Sequence, residues 1–230
     1  GLNGIEYAAI EELTFFSDGQ VGNAMNPFLL HPAGGIQYMP LAKGWTWISV
    51  NKETENMGLK RVFESITEPA STNDITLKSQ TLVYAQYTES TGWVGTLTAS
   101  DPHLGYMIYL NNRPDTLAMV GNNPSVSPLI LKTRWNWIGY PKPGIGDVNM
   151  VLAQLQSHTG DLLRGQYSFS EYQPDPGRWI GNLTSFEPGR GYKLFVTNGG
   201  TLEMLKTTGL ENLAQNHEFN MTLTAAVGLG

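Results

Sequence analysis

Gly44-Trp45-Thr46-Trp47-Ile48-Ser49-Val50 returns 90 residues later as Arg134-Trp135-Asn136-Trp137-Ile138-Gly139-Tyr140. Downstream, Leu77-Lys78-Ser79-Gln80 is answered by Leu163-Arg164-Gly165-Gln166. Gly92-Trp93-Val94-Gly95-Thr96-Leu97-Thr98 is answered by Arg178-Trp179-Ile180-Gly181-Asn182-Leu183-Thr184, now 86 residues away. Asp101-Pro102-His103-Leu104-Gly105-Tyr106 then matches Glu187-Pro188-Gly189-Arg190-Gly191-Tyr192, and Thr116-Leu117-Ala118-Met119 matches Thr201-Leu202-Glu203-Met204. Matches that keep their order along the chain mark a tandem duplication, which has to be settled before a fold is assigned. The drop in spacing from 90 to 86 places four extra residues in the first copy, between the Trp-x-Trp-Ile strand and the Leu-x-x-Gln strand. A loop is where a fold absorbs such an insertion.

Each copy has the same local grammar. Trp45 and Trp47, like Trp135 and Trp137, alternate with small polar residues, the period of two expected of a half-buried strand rich in aromatics. Leu59, Val62, Phe63 and Ile66 in one copy, and Val148, Val151, Leu152 and Leu155 in the other, fall at the i, i+3, i+4, i+7 spacing of a short amphipathic helix. Asp147 stands where the second helix needs an N-cap. Further strands are expected at 81–87, 93–98, 105–110 and 116–120, and again at 166–172, 179–184, 191–196 and 201–205, each bounded by turn residues. The fold class is α+β and β-rich: two tandem repeats, each a small, mostly antiparallel sheet carrying one short helix.

The corresponding division is an N-terminal β segment over 1–43 packing on the first repeat, a first repeat over 44–131, a second over 132–208, and a linker and strand over 209–230. The first of these holds the strand-like runs Phe28-Leu29-Leu30 and Ile36-Gln37-Tyr38-Met39. The last alternates Phe219, Met221, Leu223, Ala225 and Val227 and reads as a strand of this module or the first strand of a following Ig-like one, the latter favoured because it comes after a linker at 206–217.

Composition narrows the function. A chain of 230 residues can bury one large core or two small ones. Charged residues make up 15% against roughly 25% in an average soluble protein, so the surface is expected to be polar but weakly charged. The net charge of −6, without any Lys/Arg cluster, argues against a nucleic-acid partner. No apolar run reaches the roughly 18 residues a membrane helix needs. The absence of cysteine removes disulfides, thiolate nucleophiles and Cys-based zinc sites, and is compatible with bacterial export.

There is no Gly-x-Ser-x-Gly elbow, and Gly144-Ile145-Gly146-Asp147 lacks the third glycine of a dinucleotide loop. His31, His103, His158 and His217 are scattered, without the i, i+4 pairing of a zinc helix. Neither a metal nor a cofactor is expected. Asp101 and Glu187 occupy matched positions and could in principle pair as the two carboxylates of a glycan-active hydrolase. Both also precede a proline, where an acidic residue ordinarily shapes a turn. The Trp-x-Trp tryptophans read as core packing. Trp93, Trp179, Tyr106 and Tyr192 carry two readings: packing, and, because they sit among glycine and polar residues, the stacking surface of a carbohydrate-binding module.

The pattern Trp-x-Trp-Ile-(Ser/Gly), helix, Leu-x-x-Gln, Trp-x-Gly-x-Leu-Thr, (Asp/Glu)-Pro-x-x-Gly-Tyr resembles the tandem repeat module of long secreted or cell-surface proteins of Bacteroidota, many exported by type IX secretion. The resemblance spans about residues 40–205. It implies an extracellular or cell-surface location and a non-catalytic structural or adhesive role inside a larger protein. Other modules of that protein would be the partners, with a polysaccharide or a cell-surface protein as further candidates.

Overall fold

The computed structural model describes residues 35–66, 75–81, 83–125 and 127–204. The first repeat runs through β1 (Ile36–Leu41), β2 (Gly44–Ser49), α1 (Leu59–Val62), β3 (Ile75–Lys78), β4 (Tyr84–Thr88), β5 (Gly92–Gly95), β6 (Gly105–Leu110) and β7 (Asp115–Val120). The second runs through β8 (Leu129–Leu131), β9 (Arg134–Ile138), β10 (Gly146–Asp147), α2 (Val148–Val151), β11 (Leu162–Arg164), β12 (Phe169–Gln173), β13 (Arg178–Gly181), β14 (Ser185–Phe186), β15 (Tyr192–Val196) and β16 (Gly200–Leu202). The protein is thus α+β and β-rich. Phe28-Leu29-Leu30, the linker at 206–217 and the alternating tail at 219–227 lie outside the described residues.

Each repeat is built around one five-stranded antiparallel sheet, in the order β2-β6-β3-β4-β5 in the first and β9-β15-β11-β12-β13 in the second. Position by position the two orders are the same, as duplication requires. A two-stranded ribbon covers each sheet: β1 pairs with β7 from Ile36↔Val120 to Leu41↔Asp115, and β8 pairs with β16 from Leu129↔Leu202 to Leu131↔Gly200. This pairing moves the repeat boundaries. Residues 36–41 form an integral strand of the first repeat, and 129–131 belong with the second. Such a short strand declares its membership only through a ladder to a partner some 70 to 80 residues away, which a local pattern does not carry.

The core of the first repeat lies between sheet, ribbon and helix. It gathers Met39 and Leu41 from β1, Ile48 from β2, Leu59 and Val62 from α1, Ile75 and Leu77 from β3, Tyr106, Ile108 and Leu110 from β6, and Leu117 and Met119 from β7. A second, separate core repeats this with Leu131, Ile138, Val148, Val151, Leu163, Tyr192, Leu194, Val196 and Leu202. Leu77 and Leu163, at matched places on the third strand of each sheet, have no exposed surface.

The helices are shorter than the apolar spacing predicts. Both stop after one turn, and the chain continues in tight turns closed by Ile66 N–H to Phe63 O (3.2 Å) and Leu155 N–H to Leu152 O (3.0 Å). These i to i+3 bonds still turn the last apolar residues toward the core. Asp147 caps α2 as expected: its Oδ1 accepts from Met150 N–H at 3.0 Å. Gly58 takes the cap position of α1 without a side-chain bond. Among the described residues no helix is long and apolar enough to cross a membrane.

Candidate functional site

The Trp-x-Trp tryptophans do not enter either core. Thr46 and Ile48 are buried on the core face of β2, so the alternation of a strand sends Trp45 and Trp47, half-buried, to the opposite face, where Ser49 is buried at the seam. Asn136 and Ile138 likewise face inward from β9, leaving Trp137 half-buried and Trp135 37% exposed. There Trp45 packs on Tyr109 at 5.1 Å between ring centroids, and Trp135 on Phe195 at 5.4 Å. The reading of these residues as core is corrected. Aromatics on both faces of a strand give the same period, and the period does not say which face is interior.

These outer faces converge where the repeats meet. Gln166, the last residue of the second Leu-x-x-Gln, reaches the free edge of β2: its Oε1 accepts from Trp47 N–H (2.9 Å) and its Nε2 donates to Trp45 O (2.8 Å). Gln80 does the same to β9. Its Oε1 accepts from Trp137 N–H (2.7 Å) and its Nε2 donates to Trp135 O. A primary amide carries one donor face and one acceptor face, so it completes a strand edge as another backbone would. Because each repeat offers the other the same group, the contact is self-complementary, the signature of an approximate two-fold axis.

The rest of the seam obeys the same symmetry. Ser49 N–H donates to Gly189 O (2.9 Å) and Gly139 N–H to His103 O (2.8 Å). Single bridges join Ile48 to Arg190 and Leu104 to Ile138. Gly105 and Gly191 allow this approach: a Cβ on Gly191 would lie 2.5–3.0 Å from the backbone O, N and C of Ile48, and one on Gly105 2.8 Å from Ile138 O. One asymmetry sits between the repeats. Lys193, which occupies the place of Met107, lies 4.2 Å from the Trp47 ring and 4.3 Å from the Trp137 ring, and burial lowers its pKa. A cation held between two indoles is favourable by roughly 0.5–2 kcal/mol.

Three of the four candidate ligand-stacking residues are interior. Tyr106, Tyr192 and Trp179 are 2%, 4% and 6% exposed. Each tyrosine closes its own turn, with the hydroxyl accepting from Asp101 N–H or Glu187 N–H at 2.7 Å, which explains the motif (Asp/Glu)-Pro-x-x-Gly-Tyr. Burial pushes both phenols up to about 12. The protonated form is the one the fold favours, so this stability is complete below pH 10 and is lost as pH rises through 12. Base-induced unfolding is therefore expected within that window, with tyrosinate absorbance and loss of far-ultraviolet circular dichroism appearing together. Free ionisation of both tyrosines at pH 10 with the fold intact would contradict it.

Trp93 is the exception among the four. It is half-buried, packed at a tilt against Phe63 (5.5 Å) and Tyr87 (5.4 Å), and borders a cleft of about 390 Å³ with Asn56, Lys60, Arg61 and Glu64 on its rim. Asp101 and Glu187 sit on exposed turns, each engaged by its own neighbour: Asp101 by His103 Nδ1 (3.0 Å) and Glu187 by Arg190 Nε (3.5 Å). The hydrogen bond from His103 lowers the Asp101 pKa, and the same bond raises that of His103. Among the described residues no group of three or more His, Asp or Glu is arranged to hold a metal ion. Two features escaped the sequence reading. One is Tyr167, 86% exposed, whose hydroxyl accepts from Gln166 Nε2. The other is the role of the Leu-x-x-Gln glutamine, whose recurrence in both copies was the only available signal. Compared with protein-family models, with curated proteins and with solved structures, the chain matches none.

Proposed function

We propose that this chain is a structural module of a larger secreted or cell-surface bacterial protein, acting as a single stiff spacer or adhesive element and not as two beads on a string. The reciprocal glutamine clamp carries this reading. The recurring polar residues Gln80 and Gln166 fasten one repeat to the other, and the recurring Gly-Tyr pairs shape the turns at the same seam. A body whose halves are joined by backbone-like bonds, packed indoles and two bridges transmits force and holds its ends at a set separation. The resemblance of the repeats to those of exported proteins supports the extracellular part of this reading.

Pulling the chain between handle domains tests this. One rupture that releases roughly 600 Å of chain from residues 36–204 is expected; two of roughly 300 Å each would show independent repeats and sink the proposal. Removing both clamps with Gln80→Ala and Gln166→Ala exposes four strand-edge groups to water. At about 1 kcal/mol per clamp, the thermal midpoint should drop by roughly 4–8 °C, and the single rupture should split.

A further inference from the structure

The two five-stranded sheets have four edges between them. Gln166 and Gln80 close the inner edges, β2 and β9. The outer edge of the second repeat, β13, is closed by Asn149 of α2. Its Oδ1 accepts from Trp179 N–H at 2.8 Å and its Nδ2 donates to Trp179 O at 3.3 Å. The fourth edge, β5, is built to the same register, with Tyr87↔Trp93 in the place of Tyr172↔Trp179. By that register the Trp93 N–H and C=O point away from the sheet. The position equivalent to Asn149 is Lys60, the second residue of α1 as Asn149 is of α2. An ammonium can donate but cannot accept, so lysine cannot reproduce the two-sided cap. No side-chain amide among the described residues takes its place.

The space beside this edge also differs from its counterpart. Trp179 is buried, whereas Trp93 lines the cleft of about 390 Å³, whose floor is Phe63, Ile66, Ile75 and Tyr87. Of the two cations on the rim, Arg61 is paired with Glu64, which leaves Lys60 as the charge facing an incoming chain. An open strand edge is a template for an added strand, with main-chain bonds supplying affinity and alternate side chains entering adjacent pockets. We propose that the β5 edge is a docking site for an extended peptide segment that alternates apolar and polar residues and carries an acidic side chain opposite Lys60. The main chain of this segment takes the bonds that Asn149 makes in the other repeat.

Exchange of two side chains between the copies gives the test. The full chain is titrated calorimetrically with the synthetic peptide acetyl-Thr-Val-Asp-Val-Thr-Val-Thr-amide and with its Asp→Lys counterpart. The acidic peptide should bind saturably at one site, and the lysine form about tenfold more weakly or worse. Lys60→Asn should abolish binding by installing the cap. Asn149→Lys should leave the stoichiometry at one, because Trp179, unlike Trp93, is buried and lines no such cleft. Both positions are exposed, and unchanged circular dichroism would confirm folding. Amide exchange offers a readout without a ligand: the Trp93 N–H should exchange at least about tenfold faster than that of Trp179, and Lys60→Asn should remove the difference.

Failure of both peptides to bind at millimolar concentration, equal binding of the two, or binding indifferent to Lys60→Asn would each overturn the proposal. So would a concentration-dependent dimer that Lys60→Asn dissolves, since the edge would then belong to a second copy of the chain. None of these results bears on the single rupture expected of the joined repeats, so the two proposals fail separately.

Discussion

Replacing Gly191 with alanine is expected to pry the repeats apart and to lower the thermal midpoint by roughly 4–10 °C, the equivalent of about 2–3 kcal/mol in a body of this size. The added methyl would meet the O, N and C atoms of Ile48 at 2.5–3.0 Å. These are backbone atoms of β2, which is tied on its other side to β6 from Gly44↔Leu110 to Ser49↔Gly105. A flexible side chain could swing away from a new methyl. A strand held in a ladder can move only by breaking bonds on one side or the other. Gly105→Ala is expected to have the same effect in weaker form, because its nearest neighbours, Ile138 O at 2.8 Å and Ile138 N and Tyr192 O at 3.2 Å, leave a little more room. Scanning calorimetry of both variants checks the order as well as the size. An unchanged midpoint for Gly191→Ala would mean that the seam does not close as described.

Leu163→Ala and Leu77→Ala should each cost about 2–5 kcal/mol, the usual range for a fully buried leucine whose cavity cannot collapse. Both side chains are 0% exposed. β11 lies between β15 and β12, and β3 between β6 and β4, so each leucine is flanked by strands on both sides and its neighbours have little freedom to fill the void. For a body of this length the midpoint should fall by roughly 4–20 °C. The form of the transition is more informative than its position. If the seam couples the repeats, a cavity in either core shifts one cooperative transition as a whole. If it does not, the mutated repeat melts early and leaves the other at its original midpoint. Combining Leu163→Ala with Gly191→Ala separates these cases: with the seam opened, two transitions should appear.

Much of the architecture was legible because duplication amplifies weak local signals. The strand expected at 105–110 is found at Gly105–Leu110, that at 116–120 begins one residue earlier, and Asp147 caps its helix. The strands expected from 81 and 166 begin later, at Tyr84 and Phe169. The residues before them turn away to carry Gln80 and Gln166 into the seam. The helices stop after one turn because four apolar positions record which side chains face the core, and a run of tight turns can satisfy that as well as continuous helix.

The candidate site was less legible. Tyr106, Tyr192 and Trp179 show the composition of a binding surface and the environment of a core. Their glycine neighbours serve close approach of backbone: Gly105 and Gly191 lie against the sister repeat, while Gly181 lies against β12. Nothing in a local window separates a glycine that exposes an aromatic from one that lets another strand come near.

By itself the sequence determined the duplication, the β-rich class, the alternation of each strand and the capped start of the second helix. All of these rest on periods and offsets that a short stretch of chain contains. Only the tertiary structure decided which face of the Trp-x-Trp strands is interior, to which repeat the strands at 36–41 and 129–131 belong, and what the two glutamines are for. A period of two says that Trp45 and Trp47 share a face, and is silent on which face meets the core when both carry large apolar groups. The bonds from Gln80 to Trp137 and from Gln166 to Trp47 span 57 and 119 residues. Their partners come together only where the two cores set the free edges of their sheets side by side.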